Sequence, residues 1–440
     1  MTVNVYGAGL AGCEAAYQLA KRGVHVKLYD MKPNKKSPAH SSNKLAELVC
    51  SNSLKAKRVS SAAGLLKEEM RHLDSLLVKC ADRCEVPAGG ALAVDREEFS
   101  SLVTDFIMNH ENIEFICGEI TSFPEDEICV ISTGPLTSDS LSDFINKKFG
   151  EHLSFYDAAA PIVSAESVDM EHAFFESRYG KGDGDDYLNC PLNKEEYEVF
   201  YEALVNAERA PVHEFDVRDP KVYEGCMPIE VLAQRGVDTI RFGPMKPVGL
   251  RDPKTGHRPW AVLQLRKETK SGEMYNLVGF QTNLKFQEQK RVFGLIPALK
   301  NAEYHRYGVM HRNTFINSPK LLNPDFSIRA NPNIFFAGQI TGVEGYMESA
   351  SSGLLAGINA YLRAVGKNTV DLPECTMIGA LARYISDENV TDFQPMGANF
   401  GVLPALENRP RDKALRGEMY ATRSLETLDK YILDNDINGV

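Results

Sequence analysis

"TVNVYGAGLAGCEAAYQLAKRGVHVKLYDMKP", residues 2–33, passes from strand to glycine turn to helix to strand. Val3 and Val5 alternate into Gly7, Gly9 and Gly12, with Ala8, Leu10 and Ala11 between them. Ala15, Ala16, Leu19 and Ala20 then recur at helical spacing, and Gly23 ends the helix. The second strand closes on Asp30, about twenty residues past the glycines, the spacing of a dinucleotide-binding βαβ unit. Glycines permit the tight turn and let a pyrophosphate approach the helix N-terminus, while the terminal acid accepts hydrogen bonds from a ribose.

Two later stretches say which dinucleotide. "EICVISTGP" (127–135) is an apolar strand ending in Thr133 and Gly134, the kind of turn that crosses back under a flavin adenine dinucleotide. "NIFFAGQITGVEGYMESASSGLLAGINA" (333–360) gives a strand, a turn at Gly338 and Gln339, and a small-residue helix containing Ser349, Ser351, Ser352 and Gly353. A helix N-terminus arriving this late suits the flavin end of FAD, where its dipole stabilises negative charge on the reduced ring. Both ends of the chain are thus expected to build one FAD site.

Between them the texture changes. "WAVLQLR" (260–266) and "YNLVGFQT" (275–282), separated by turns, predict antiparallel strands, and residues 193–207 predict a helix. The expected fold is α/β: a Rossmann-like FAD-binding domain in two parts, 1–150 and 301–440, around an inserted α+β substrate domain at 151–300. The last twenty-five residues read as a helix.

With 440 residues, 43% hydrophobic and 25% charged, the chain has the composition of an ordinary globular protein large enough for two or three domains. No apolar run approaches a membrane span, and no charged leader precedes the first strand, so a cytoplasmic location is expected. Nine scattered cysteines carry neither a disulfide framework nor paired CxxC metal sites. The net charge of −11 argues against a general polyanion-binding coat. Charge is nonetheless uneven: Lys32 to Lys67 holds eight basic residues against Glu47 alone, and Arg241 to Arg291 eleven against four. Such stretches can bind nucleic acid locally or be solvated surface.

"LAELVCSNSLKAKR" (45–58) places Cys50 between an apolar run and a polar, then basic, segment. Nearby positive charge favours the thiolate, which is the nucleophile. The other reading is a half-buried cysteine at an element's end. Cys13, Cys80, Cys84, Cys117, Cys129, Cys190 and Cys375 read as structural, Cys117 and Cys129 within apolar strands.

The blocks "VNVYGAGLAGCEAAYQLAKRGV", "PAHSSNKLAELVCSNSL", "GLLKEEMRHLDSL", "VPAGGALAVDREEFS", "EGCMPIEVLAQRG", "FGPMKPVGL", "RYGVMHRNTFINSP" and "GQITGVEGYMESASSGLLAGINA" together closely resemble the folate- and FAD-dependent tRNA (uracil-5-)-methyltransferases, the TrmFO family. The likeness runs from Val3 to about Gly401. It implies methylation of C5 of a tRNA uridine, T-loop position 54, with methylenetetrahydrofolate as one-carbon donor and FAD reduced by NAD(P)H as electron source. It also implies two catalytic cysteines, Cys50 in "ELVCSNSL" and Cys226 in "EGCMPIE", one adding to the base and the other helping to remove the C5 proton. The turn setting of Cys226, after Gly225 and before Pro228, favours it as the nucleophile.

Lys246, His311 and Arg312 are candidates for holding folate, RNA or developing charge, and Glu344 for touching flavin or folate, or for capping the helix that follows. Lys55, Lys57 and Arg58 are candidate RNA contacts; this "KAKR" is more basic than the family's usual segment, so RNA contacts here can differ. Three alternatives stand beside this reading: the same chemistry on ribosomal RNA, a flavin oxidoreductase acting on a small molecule, and a non-catalytic flavoprotein that binds RNA or protein.

Overall fold

The computed structural model describes residues 1–37, 39–150, 153–180, 186–211, 227–391 and 393–437. β1 (Thr2–Tyr6) is buried from Val3 onward, as a central parallel strand must be. α1 (Leu10–Ala20) and β2 (His25–Asp30) follow, then β3 (Ile113–Cys117), β4 (Cys129–Ile131) and β5 (Asn331–Phe336). These strands form one parallel sheet in the order β5-β4-β1-β2-β3, with Ser327–Ile328 antiparallel on the β5 edge. The order reverses direction beside β1, which is where an open α/β sheet leaves its ligand crevice. This is the expected Rossmann-like α/β fold.

Sterics fix the turn after β1. Gly7 has φ +98°, and a Cβ there would lie 2.6 Å from the Ser132 carbonyl oxygen. At Gly12 a Cβ would lie 1.7 Å from the Gly7 carbonyl oxygen. α2 (Tyr346–Ala364) packs backbone to backbone on α1, since a Cβ on Gly353 would stand 2.1 Å from the Ala11 carbonyl oxygen. The small-residue run at 348–360 is therefore the price of a close helix crossing, and sixteen residues of α2 are buried. Glu14 of α1 is fully buried, accepting from Ser75 Oγ and from the backbone N–H groups of Leu76 and Leu77 at the start of the helix Leu76–Arg83.

A second six-stranded sheet is antiparallel throughout, in the order Phe174–Phe175, Tyr187–Leu192, Ala261–Lys267, Met274–Leu277, Ile162–Ser164, Tyr304–Arg306. It has a hydrophobic core of its own, including Leu188, Phe200, Leu263, Phe280 and Phe293. The helix read at 193–207 spans Lys194–Val205 and starts in a capping box, Asn193 with Glu196. The strand expected from 275 stops at Leu277, where Gly279 turns the chain at φ +79°. Leu153–Ala158 leads out of the first domain and pairs antiparallel with Met310–Phe315, which leads back. The C-terminal helix is Lys413–Asp434. Among the described residues no helix is long and apolar enough to cross a membrane.

Candidate active site

A cavity opens at the carboxyl ends of the parallel strands. Gly7, Gly9, Leu10, Ala11, Asp30, Thr133, Gly134, Gly338 and Gln339 all line it, so residues expected from both ends of the chain meet in one place. α1 begins at an N-cap, Gly9, with no side-chain hydrogen bond and no acid in its first turn, which leaves its N–H groups open to an anion. A Cβ on Gly9 would meet nothing within 4 Å, and the space it would enter is this cavity. Asp30 is held by the Ala8 N–H at 2.8 Å and the Lys32 N–H at 2.9 Å, which aims its carboxylate at the mouth of the turn. A glycine cradle, an open helix N-terminus and an oriented acid fit a dinucleotide such as FAD.

Four expected cofactor contacts sit elsewhere: Ala8 is fully buried, its N–H bonded to Asp30, and does not line the cavity. Gly12 packs beneath Gly7 and does not line the cavity. Ser351 is buried and donates to the Glu348 carbonyl one turn back; Ser349 is the α2 serine on the cavity wall. A helix start repeated in serines gives no sign of which one faces outward until the partner helix is known. Glu344 is buried and accepts from Gln339 Nε2 at 2.6 Å, and it lines a second, adjoining cavity.

Cys50 is half-buried and lines that second cavity, together with Lys55, Asn313, Gly345 and Tyr346. The two cavities share Val49, Pro135, Leu136, Gln339 and Tyr346. The Tyr346 hydroxyl oxygen accepts from the backbone N–H of Cys50 at 2.8 Å and of Ser51 at 3.2 Å, and stands 2.9 Å from the Cys50 sulfur. With two donors on that oxygen, its own proton is directed at the sulfur. Burial, and then the neighbouring Cys50, push the Tyr346 hydroxyl well above its ordinary pKa, so it keeps this proton. Arg96, ion-paired with Glu268 at 2.8 Å, and the half-buried Arg306 bring positive charge to the same neighbourhood.

Five of the other described cysteines are buried, and Cys375 is half-buried. Burial pushes Cys80 and Cys129 up to about 12, Cys84 to about 11, and Cys13 and Cys190 also upward. Cys117 departs from expectation: it ends the edge strand β3 and is exposed. Cys226 lies outside the described residues, as do the side chains of His311 and Arg312; Lys246 is exposed.

The basic stretch is largely used internally. Lys55, at φ +64°, pairs at 2.6 Å with Glu348, whose side chain is 1% exposed. Lys67 is fully buried and donates to the Leu54 and Ala63 carbonyls, both at 2.8 Å. Lys57 is exposed and pairs with Glu85, and Arg58 is exposed.

Sequence reasoning passed over Tyr346, Arg266 and the cavity-lining Lys32, His40 and Glu47. The signal for Arg266 was an arginine inside the otherwise uncharged strand "WAVLQLR"; for Tyr346 it was a tyrosine directly after Gly345 at the start of α2.

The family model described as Glucose inhibited division protein A matches residues 2–368. A methylenetetrahydrofolate–tRNA-(uracil-5-)-methyltransferase TrmFO of Acetivibrio thermocellus is 58% identical over 431 residues, covering 98% of each chain. The protein of the same name from Pelotomaculum thermopropionicum has the same identity and coverage. Among solved structures, GidA of Aquifex aeolicus superposes with a TM-score of 0.68 at 17% identity, covering 98% of this chain and 76% of that one. That likeness concerns the fold. The chain belongs to the Glucose inhibited division protein A family and, within it, to the TrmFO group.

Proposed function

We propose that this chain is a cytoplasmic enzyme that methylates C5 of a tRNA uridine, at T-loop position 54, using methylenetetrahydrofolate, with FAD reduced by NAD(P)H. The observation that carries the reading is 58% identity across 98% of both chains to relatives named for that reaction. The placement of Cys50 where the nucleotide cavity adjoins a second cavity supports it.

Uracil C5 is a poor nucleophile until a thiolate adds at C6 and drives the electron pair toward C5. C5 then bonds the donor's methylene carbon as one of that carbon's two bonds to folate nitrogen breaks. Loss of the C5 proton lets the folate nitrogen leave, and hydride addition to the exocyclic methylene expels the thiolate from C6. That hydride is what reduced FAD, when bound, would supply. The chain's own residues do the rest. The first-turn N–H groups of α1 would hold the pyrophosphate, Asp30 a ribose, and Gly9 leaves the space for both. Tyr346 holds the Cys50 backbone and directs a proton at its sulfur, which stabilises the anion. Cys226 is the proposed nucleophile and Cys50 the thiol assisting proton removal; Lys57 and Arg58, both exposed, are proposed RNA contacts.

The test is methyl transfer by purified protein to a tRNA transcript with methylenetetrahydrofolate and NADPH, read as 5-methyluridine by mass spectrometry. Ribosomal RNA and an RNA-free NADPH oxidation assay run in parallel. Product on tRNA alone is expected. Methylation confined to ribosomal RNA, or NADPH turnover indifferent to RNA, would sink the proposal.

A further inference from the structure

The turn that carries Cys50 is held from the other domain. Arg266, on the strand Ala261–Lys267 of the antiparallel sheet, is 6% exposed. Its Nε donates to Asn52 Oδ1 and its Nη2 to Ser51 Oγ, each at 2.8 Å. Asn52 is fully buried and returns the contact, donating from Nδ2 to the Lys267 carbonyl and to the Val94 carbonyl, both at 3.0 Å. The residues after the thiol are thus bonded to one guanidinium fork and one backbone carbonyl of the second sheet. Tyr346 fixes the N–H groups of the same turn from the opposite end of the chain.

We infer that Arg266 is a positioning residue for Cys50: its fork fixes the Ser51–Asn52 turn and through it the direction of the thiol. A planar, always charged fork is suited to this because it makes two bonds in one fixed geometry, which a lysine cannot. Burial favours it further, since an unsatisfied polar group inside the protein is costly, so the turn has one low-energy arrangement and not several. The inference rests on the proposed role of the Cys50 thiol, and its test separates the two.

Arg266→Lys and Ser51→Ala are compared singly and together. Arg266→Lys keeps FAD stoichiometry, flavin reduction by NADPH and the KM for tRNA, while kcat falls about tenfold to a hundredfold, the scale of a small misplacement of a reacting group. Ser51→Ala shows a smaller fall of the same kind, and most of that fall disappears in the Arg266→Lys background, because the two share the Nη2–Oγ bond; the remainder is the bond Ser51 Oγ accepts from the Ser53 N–H. Hydrogen exchange at the Ser51–Ser53 amides quickens in Arg266→Lys. Unchanged exchange in the folded variant overturns the inference whatever the activity does, and so do effects on kcat that multiply. If Arg266→Lys fails to fold, Ser51→Ala carries the test, and a kcat and exchange pattern equal to wild type overturns it. Quickened exchange with full methyl transfer in Cys50→Ala would instead remove the thiol's role and leave the clamp standing.

Discussion

The nucleotide cradle and the Cys50 turn adjoin each other, yet they are built in opposite ways. In the cradle, Ala8 bonds Asp30 across 22 residues of chain, and Gly7 and Gly12 pack on each other. In the turn, Cys50 bonds Tyr346 across 296 residues and Asn52 bonds Arg266 across 214. The cradle's first turn rests on close backbone approaches, Gly12 on Gly7 and Gly7 on Ser132, that only glycine allows, so the glycine pattern is a motif even though one of its partners is distant. The turn is fixed by hydrogen bonds to residues far away in sequence, and those to Arg266 and Lys267 exist only once the two domains have folded against each other. The setting of the Cys50 thiol can therefore be lost by a change far away in sequence, and the glycine turn mostly by a change within it.

The largest effects separate the two regions. Cys50→Ala should lower methyl transfer by about a thousandfold or more with FAD fully bound. Gly353→Val should abolish activity through loss of fold and flavin together, because its side chain starts 2.1 Å from the Ala11 carbonyl oxygen. Absorbance near the flavin band, scaled to protein, tells them apart; a flavin-free Cys50→Ala would merge the regions. Gly9→Val is the sharper probe of the cradle. Its Cβ has room in the protein, so the variant should fold with a normal circular dichroism spectrum and fail to hold flavin. Full occupancy would mean the pyrophosphate does not lie on this turn.

Smaller effects are expected beyond the Cys50 turn. Reversing Lys57 and Arg58 to glutamate should weaken tRNA binding about tenfold and reduce the salt slope by about two. Lys55 is left intact because it neutralises the buried Glu348. Equal affinity and slope would mark these two as solvated surface.

The smallest effect concerns Lys67, which anchors the Leu54 carbonyl just past the turn. Burial pushes it down to about 8, whereas the unfolded chain holds its proton to about 10.4. Between those values the unfolded state binds more protons, so this residue's contribution to stability rises with pH. Denaturation midpoints at pH 7.5 and 9.5 should therefore show wild type gaining on Lys67→Met at the higher pH. A constant difference would place the amine in contact with water.

Legibility followed the same division. The βαβ unit, Thr133–Gly134 and the late helix could be read because each is a local pattern of strand, glycine and helix. Ser351 and Gly12 fell just off the cavity wall, since which side of a helix or turn faces a ligand depends on its packing partner. Cys50 could be singled out by its flanking residues, but Tyr346 and Arg266 could not. Nothing in a tyrosine after a glycine, or an arginine in a strand, states that both will arrive at residue 51. The basic stretch is not all free surface charge for the same reason: the exposed Lys55 pairs with the buried Glu348, and Lys67 is itself buried, with partners that sequence does not display.

The outgoing strand Leu153–Ala158 and the returning strand Met310–Phe315 are hydrogen-bonded neighbours, with Ala158 opposite Met310. Entry and exit of the intervening segment therefore stand about 5 Å apart, a gap that a two-residue hairpin turn would close. The segment behaves geometrically as a cassette, exchangeable without disturbing the strand order of its host. Such a graft would keep the nucleotide cradle whole and take Arg266 away with it, so the host would inherit a coenzyme and lose the aim of its thiol.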